Sequence, residues 1–297
     1  MTGILNSMWS ATVSPFANLV PKKSPLIIVL HGVYAPENDD PSIPPVAIKA
    51  KEVGEENYWI KWSSFTQFAA MYVALVEKAE QEGTVKPQLH FDDGGATNER
   101  AIDYVLNLLA EENLEGRIII FALPAMLGTH GYMEKRTVKR FAESGVEVGA
   151  HSMTHRDLPT LSREECLTEL RESKARVAEI TGRPVTRFAF PKGACSLETA
   201  IWAAREFNDG TYSTQGFPSL MTGAFGNVVP KPRRSLRNTD TVESLQSEIE
   251  SASHGRGLIM QTIKTHAPVF PGATPAITCV RGLLRRKGHV LEPGAAA

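Results

Sequence analysis

Two short stretches of the chain carry residues that could do metal-dependent chemistry. In HFDDGG, the adjacent carboxylates Asp92 and Asp93 follow an apolar run. In HSMTH, His151 and His155 are four positions apart, which on a helical turn would bring both imidazoles to one side. Two imidazoles and one carboxylate can hold a divalent metal ion, and an open fourth position can hold a water molecule for hydrolysis.

The paired carboxylates have a chemical explanation if a cation lies beside them. Asp93 could bind the metal while Asp92 accepts a proton from the metal-activated water. The positive ion would keep both carboxylates ionised at neutral pH and would offset their mutual repulsion. We therefore favour a hydrolytic metal site over the plainer interpretation, in which Asp92 and Asp93 only form a solvated turn.

Five candidate functional positions, including the two stretches above, each follow a predicted β-strand. The run LIIVL precedes His31, VKPQLHF precedes Asp92, VEVGA precedes His151, TRFAF precedes Pro191, and GLIMQTIKT precedes His266. Amphipathic helical stretches such as SSFTQFAAMYVALVEKAEQEG alternate with these runs. The alternation predicts one α/β domain with parallel strands, whose carboxyl ends share one face. The pattern alone leaves both a barrel and an open sheet possible.

Helix boundaries can also be predicted. Ser162 and Glu165 form a capping-box pattern at the start of REECLTELRESKARVAEITG. Asn98 is a candidate cap for ERAIDYVLNLLAEENL, and Ser196 is a candidate start for another helix. These boundaries place helices between successive predicted strands.

Composition excludes several classes of protein. The 297 residues carry a formal net charge of −1, which gives no general attraction to nucleic acid or to an anionic membrane. The three cysteines are scattered and imply no disulfide framework, and no apolar stretch reaches the length of a membrane span. The lysines of the N-terminal segment follow its apolar part, the reverse of a secretory signal. We expect a cytoplasmic protein, although a leader removed from the chain would change that expectation.

The motifs resemble those of the polysaccharide deacetylases, the NodB-homology class of carbohydrate esterase family 4. HFDDGG resembles the first motif, TFDDG, and HSMTH matches the second, H-[ST]-x-x-H. FAFPKG is similar to the FAYPYG form of the third motif, and GTYSTQG is similar to the fourth segment of that subgroup. The resemblance covers residues 25–292 and implies an incomplete (β/α) barrel of α/β class as a single domain. It leaves an N-terminal extension at 1–24 and a disordered tail at 293–297.

The resemblance implies catalytic roles. Asp92 would be the general base, and Asp93, His151 and His155 would bind one divalent metal ion. Zinc is the common metal in the family, and Co²⁺, Ni²⁺ or Fe²⁺ are alternatives. His266 would protonate the leaving amine.

The third and fourth motifs imply the surroundings of the substrate. The backbone N–H of Lys192 would help to hold the oxyanion beside the metal. Pro191, Gly193 and Tyr212 would contact the substrate, and His31 would line the pocket.

The chain departs from the family pattern near the third motif. Ala189 stands where other branches carry an arginine that orients the base. Arg233 is a candidate to replace that contact, and we also expect it beside the substrate. Lys192 replaces the usual tyrosine and would favour an anionic substrate. No acidic residue follows His266, so its pKa would be tuned differently.

The implied activity is removal of an N-acetyl group from a sugar or glycan, the hydrolysis of a non-peptide C–N bond. Hydrolysis of a cyclic amide or ureide would use the same residues and stays open as an alternative. A carbohydrate-binding pseudoenzyme is the third alternative, and it is less favoured because every carboxylate and histidine of the first two motifs is present. Neither a nucleic-acid partner nor a membrane span is expected, and the sequence does not predict an oligomeric state.

Overall fold

The computed structural model describes residues 25–34, 58–214, 228 and 230–253. The predicted extension at 1–24, the tail at 293–297 and the strand and helix predicted around His266 lie outside the described residues. The strands are β1 (Ile27–Leu30), β2 (Gly32–Tyr34), β3 (Trp59–Lys61), β4 (Gln88–Phe91), β5 (Arg117–Ala122), β6 (Glu147–Ala150), β7 (Arg187–Ala189), β8 (Gly210–Ser213), β9 (Lys231–Pro232) and β10 (Arg234–Ser235). The α-helices are α1 (Trp62–Gln81), α2 (Asn98–Glu111), α3 (Lys135–Glu143), α4 (Arg163–Thr181), α5 (Leu197–Glu206) and α6 (Val242–Ser253).

Eight strands form one parallel sheet in the order β10-β1-β4-β5-β6-β7-β8-β9. The two edge strands are neighbouring parts of one short segment, because β9 pairs with β8 and β10 pairs with β1. Between them, the amide of Arg233 donates to the Ser213 carbonyl of β8, and just beyond them the amide of Leu236 donates to the Val29 carbonyl of β1. The sheet is therefore a nearly closed barrel, as the family resemblance implied.

The alternation of side chains along each strand creates two apolar regions. Ile28 and Leu30 belong to the larger cluster, which contains residues from both the strands and the helices. A smaller cluster fills the barrel interior and consists of Ile27, Ile119, Phe121, Ala189 and Tyr212. Strands β1 and β5 are buried almost throughout, which explains why LIIVL and RIIIFAL are continuous apolar runs rather than alternating ones.

His90 fills the barrel interior below the paired carboxylates. Its ring is fully buried and lies edge-on to Tyr212, with ring centroids 4.9 Å apart. Burial lowers the pKa of His90 well below its ordinary value, so the ring is neutral. His90 therefore packs in the core.

The helix caps agree with the sequence in two cases and differ in one. Ser162 and Glu165 form the predicted capping box of α4, and Ser196 caps α5. The prediction that Asn98 caps α2 is wrong, because Thr97 is the capping residue and Asn98 is the first residue of the helix. The Asn98 side chain instead donates to the His31 carbonyl at 3.1 Å, a contact between elements that outweighs its local capping preference.

None of the helices in the described part of the chain is both long and apolar enough to cross a membrane.

Candidate metal centre

The paired carboxylates lie at a sharp turn directly after β4. The Asp92 amide donates to the Leu30 carbonyl at 2.9 Å, which extends the pairing with β1 by one residue. The backbone then enters the left-handed region at Asp93, with φ 68°, and at Gly94, with φ 71°. A Cβ at Gly94 would lie 3.0 Å from a methyl carbon of Leu127, so glycine suits the turn on both counts. The turn lets two consecutive residues point to different parts of one site.

Asp93, His151 and His155 converge on one point. The Oδ1 atom of Asp93 lies 3.3 Å from the Nε2 atoms of both histidines. One ligand atom from each residue lies within 4.8 Å of the others. Within the described residues, the buried Oδ1 of Asp93 has no hydrogen-bond donor. A carboxylate oxygen without a donor, facing two imidazole nitrogens, fits a bound divalent cation.

The burial of this group differs from residue to residue. His151 is buried, whereas Asp93 and His155 are partly exposed. Burial and the charge of His151 lower the pKa of His155 to about 4, so that its ring is neutral at pH 7. Burial alone would raise the pKa of Asp93, but the neighbouring histidines outweigh it and the pKa is lowered. The ionised carboxylate and the neutral His155 are in the states that metal binding requires.

The orientation of His151 is fixed from β7. Its Nδ1 lies 2.8 Å from the carbonyl oxygen of Ala189, and because a carbonyl can only accept, Nδ1 carries the proton. Burial alone would lower the pKa of His151, but Asp92 and Asp93 outweigh it and the pKa is raised. In the neutral form that a metal ligand takes, Nε2 would carry a lone pair directed at Asp93 while Nδ1 stays hydrogen-bonded to the Ala189 carbonyl. This second contact is typical of histidines that bind metal ions.

The loop that carries the two histidines is not helical. Ser152 and His155 have φ of 66° and 63°, in the left-handed region, and the Ser152 hydroxyl accepts a hydrogen bond from the His155 amide at 3.0 Å. The prediction that a helical turn brings the imidazoles together is therefore wrong, although they do come together. The loop leaves the end of β6, and its two left-handed residues take the place of the predicted helical turn.

Asp92 is held by a buried arginine. The two Nη atoms of Arg233 each lie 2.7 Å from one carboxylate oxygen of Asp92, and both side chains are at most 1% exposed. Burial alone would raise the pKa of Asp92, but the Arg233 guanidinium outweighs burial and holds that pKa well below its usual range. Arg233 therefore makes the contact with Asp92 for which the sequence made it a candidate. Its guanidinium faces Asp92 and not a surface that substrate can reach.

His31 is the second imidazole beside Asp92. Its Nε2 lies 3.9 Å from the Oδ2 of Asp92, and the Nε2 of His151 lies 3.8 Å from the same oxygen. The His31 side chain is 25% exposed and its ring lies 5.2 Å from that of Tyr58. His31 therefore lies beside Asp92 and is also open to solvent, so it is closer to the paired carboxylates than a residue that only lines the pocket would be.

The remaining predicted residues lie in different surroundings. Pro191 and Gly193 are buried in a short turn after β7, and Lys192 between them is exposed, with φ 56°. The charge of Lys192 contributes to the lowered pKa of His155, which places this cation near the site. Tyr212 is fully buried in the barrel interior and accepts a hydrogen bond from Arg187 at 2.6 Å, so it offers no surface to a substrate. His266 lies outside the described residues.

One residue of the site was not identified from the sequence. Glu169 of α4 is buried and accepts hydrogen bonds from the backbone between the two metal-facing histidines. A signal was present, because Glu169 lies three residues after Cys166 and directly before Leu170, both on the buried face of the helix. An acidic residue on such a face needs a partner.

Comparisons with known proteins agree with this geometry. A family model described as polysaccharide deacetylase matches residues 81–208. A polysaccharide deacetylase from Bacillus cereus has a TM-score of 0.55 at 20% identity, covering 74% of this chain and 68% of that chain. The Streptococcus pyogenes deacetylase PplD, solved in complex with acetate, has a TM-score of 0.55 at 17% identity, covering 75% of this chain and 98% of that chain.

A de-N-acetylase from Aggregatibacter actinomycetemcomitans has a TM-score of 0.51 at 12% identity, covering 75% of this chain and 98% of that chain. Because these sequence identities are low, the similarities to solved structures show only that this chain shares their fold. The family match is independent of them, and its range includes the paired carboxylates of HFDDGG, both histidines of HSMTH and the FAFPKG turn. Residues 81–208 therefore match the polysaccharide deacetylase family, and this part of the chain holds both carboxylates and both histidines of the candidate metal centre.

Proposed function

We propose that this protein is a metal-dependent hydrolase that removes an N-acetyl group from a carbohydrate. The observation that carries the proposal is the convergence of Asp93, His151 and His155 within 4.8 Å, with an ionised Asp92 alongside. The family match supports the deacetylase chemistry, and so does the similarity to a deacetylase solved with acetate and to a de-N-acetylase.

Asp93, His151 and His155 would hold the metal ion, with zinc the expected species. When bound, such an ion polarises the amide carbonyl and lowers the pKa of a water molecule. Asp92 would take the proton from the attacking water. With its low pKa, Asp92 is a weak base for ordinary water, so it suits only a water that is already acidified. Arg233 keeps Asp92 ionised and fixes both of its oxygens.

The departing amine needs a proton, and two histidines are candidates to supply it. His266 has this role by resemblance to the family. His31 has it by position, because its partly exposed ring lies 3.9 Å from the oxygen of Asp92 that would receive the proton of water. We propose His31 as a donor beside or in place of His266, and the two single variants distinguish these cases.

The mouth of the site carries a positive charge. Lys192 is exposed, and its charge contributes to the lowered pKa of His155. A cation at this position supports a preference for substrates with an anionic group near the acetamide. The Lys192 N–H stays the proposed donor to the oxyanion. The preference for an anionic substrate depends on the Lys192 side chain, whereas the contact with the oxyanion depends only on the Lys192 backbone.

Acetate release from a panel of N-acetylated sugars and oligosaccharides tests the proposal. The protein is loaded with zinc or cobalt, and Asp92→Asn serves as the control. We expect the parent to release acetate, and the variant to release it at least about a hundredfold more slowly, as for loss of a general base. Turnover of cyclic amides or ureides without acetate release from any sugar would favour the alternative substrate class. Sugar binding without any turnover would indicate a pseudoenzyme.

A further inference from the structure

A buried carboxylate lies behind the loop that carries the two metal-facing histidines. We propose that Glu169 is a positioning residue that holds this loop in the conformation in which both imidazoles can bind one metal ion. The inference rests on the proposed metal site and extends it to a residue that does not touch the metal.

Glu169 makes three hydrogen bonds to the loop. Its Oε2 accepts from the amides of Met153 and Thr154 at 2.8 and 2.9 Å, and its Oε1 accepts from the Thr154 hydroxyl at 2.5 Å. All three donors lie between His151 and His155 in the sequence. Glu169 as a whole residue is only 6% exposed, so water does not compete effectively for these donors.

The loop needs such support because its backbone is strained. Ser152 and His155 lie in the left-handed region, which side chains other than glycine rarely adopt. Conformations of this kind persist only when the surroundings fix them. The Ser152 hydroxyl fixes the loop from within, and Glu169 fixes it from the neighbouring helix.

The position of Glu169 argues for a specific role. Its neighbours on the buried face of α4 are Cys166, Leu170 and Ser173, so an apolar residue would be the ordinary choice there. A buried carboxylate is costly unless charge-assisted hydrogen bonds compensate it. Here the compensating donors belong to the segment that spaces the two metal-facing histidines.

The test is the zinc affinity of the full chain, measured by competition with a chromophoric chelator. Variants are compared after circular dichroism has shown that they are folded. For Glu169→Ala we expect affinity to fall by about 10–100-fold, as for loss of other partners behind metal ligands. Glu169→Gln should stay within about threefold of the parent, because the amide oxygen can accept both amides and the amide nitrogen can donate to Thr154. Glu172→Ala, an exposed acid of the same helix, should not change the affinity.

Other results would overturn the inference. A folded Glu169→Ala protein that binds zinc as tightly as the parent would show that Glu169 does not position the ligands. A Glu169→Gln protein as weak as Glu169→Ala would show that the charge, and not the geometry, is what matters. If Glu169→Ala fails to fold, Glu169→Asp is the variant to measure, because the shorter aspartate side chain cannot reach all three donors. Affinity at least threefold weaker supports positioning, and parental affinity refutes it. Absence of zinc binding by the parent would instead refute the proposed function.

Discussion

Asp92 and Asp93 are adjacent in the chain but have different partners, and this separation underlies their different roles. Asp92 faces a guanidinium and is held in place by two hydrogen bonds. Asp93 faces two imidazoles and keeps an oxygen without a donor among the described residues. A carboxylate fixed by arginine suits proton transfer, and one left without a donor suits a metal ion.

Replacing Arg233 tests the first of these environments. Arg233→Met leaves a buried carboxylate without its partner, which is expected to cost about 3–5 kcal/mol in the free energy of unfolding. Since Arg233 lowers the pKa of Asp92, its loss should raise that pKa and move the acidic limb of the rate profile to higher pH. Urea unfolding and a pH profile of acetate release measure the two effects. An unchanged acidic limb would mean that Asp92 is not the group that titrates there.

His31 allows a second prediction at the residue scale. If its imidazole protonates the leaving amine, His31→Gln should lower kcat by about 10²–10⁴-fold and leave zinc affinity unchanged. His266→Gln is the matched variant and is measured under the same conditions. Full activity of His31→Gln together with a large loss in His266→Gln would assign the proton to His266 alone.

At the scale of elements, the site is assembled from turns that follow strands. The turn after β4 supplies the carboxylates, the loop after β6 supplies the imidazoles, and the Ala189 carbonyl at the end of β7 orients His151. In the turn after β4 and the loop after β6, three residues have positive φ: Asp93, Ser152 and His155. The geometry of the site therefore depends on unusual backbone at a few positions.

A pair of glycine substitutions isolates the contribution of the first turn. Gly94→Ala adds a Cβ at φ 71° and 3.0 Å from Leu127, whereas Gly83→Ala adds one at φ 61° with nothing within 4 Å. Both variants should lose about 1–2 kcal/mol of stability through backbone strain. Only Gly94→Ala should also weaken zinc binding, because only its turn carries Asp92 and Asp93. Equal zinc affinity in both variants would show that the turn tolerates the added methyl group.

The sequence predicts the local part of this arrangement better than the part between elements. Residues close in the chain determine buried strands such as IIVL, the α4 capping box and the two stretches of the candidate metal centre. The salt bridge between Asp92 and Arg233 spans 141 positions, and only barrel closure by the β9–β10 segment brings the two together. For Glu169, the position on the buried face of α4 signals that a partner is needed, but the sequence does not show which partner it has. Its donors are two backbone amides and the Thr154 hydroxyl of the loop after β6, and backbone amides carry no signature in the sequence.

At the scale of the whole molecule, the metal would join separate parts of the barrel. Asp93 follows β4, and His151 and His155 follow β6, so one ion would tie these strands through their ends. Zinc at about a thousand times its dissociation constant should stabilise the native state by about 4 kcal/mol. Calorimetry should show a rise in Tm with zinc that a chelator reverses. His155→Ala should show no such rise, and a rise of parental size in that variant would place the metal elsewhere.

The most direct test of the account combines metal content and acetate release in the Asp92→Asn variant. If Asp93, His151 and His155 bind the metal and Asp92 is the base, this variant should keep one zinc ion per chain and lose acetate release by at least about a hundredfold. Loss of the metal together with the activity would make Asp92 a ligand. Full activity with the metal retained would contradict its role as the base.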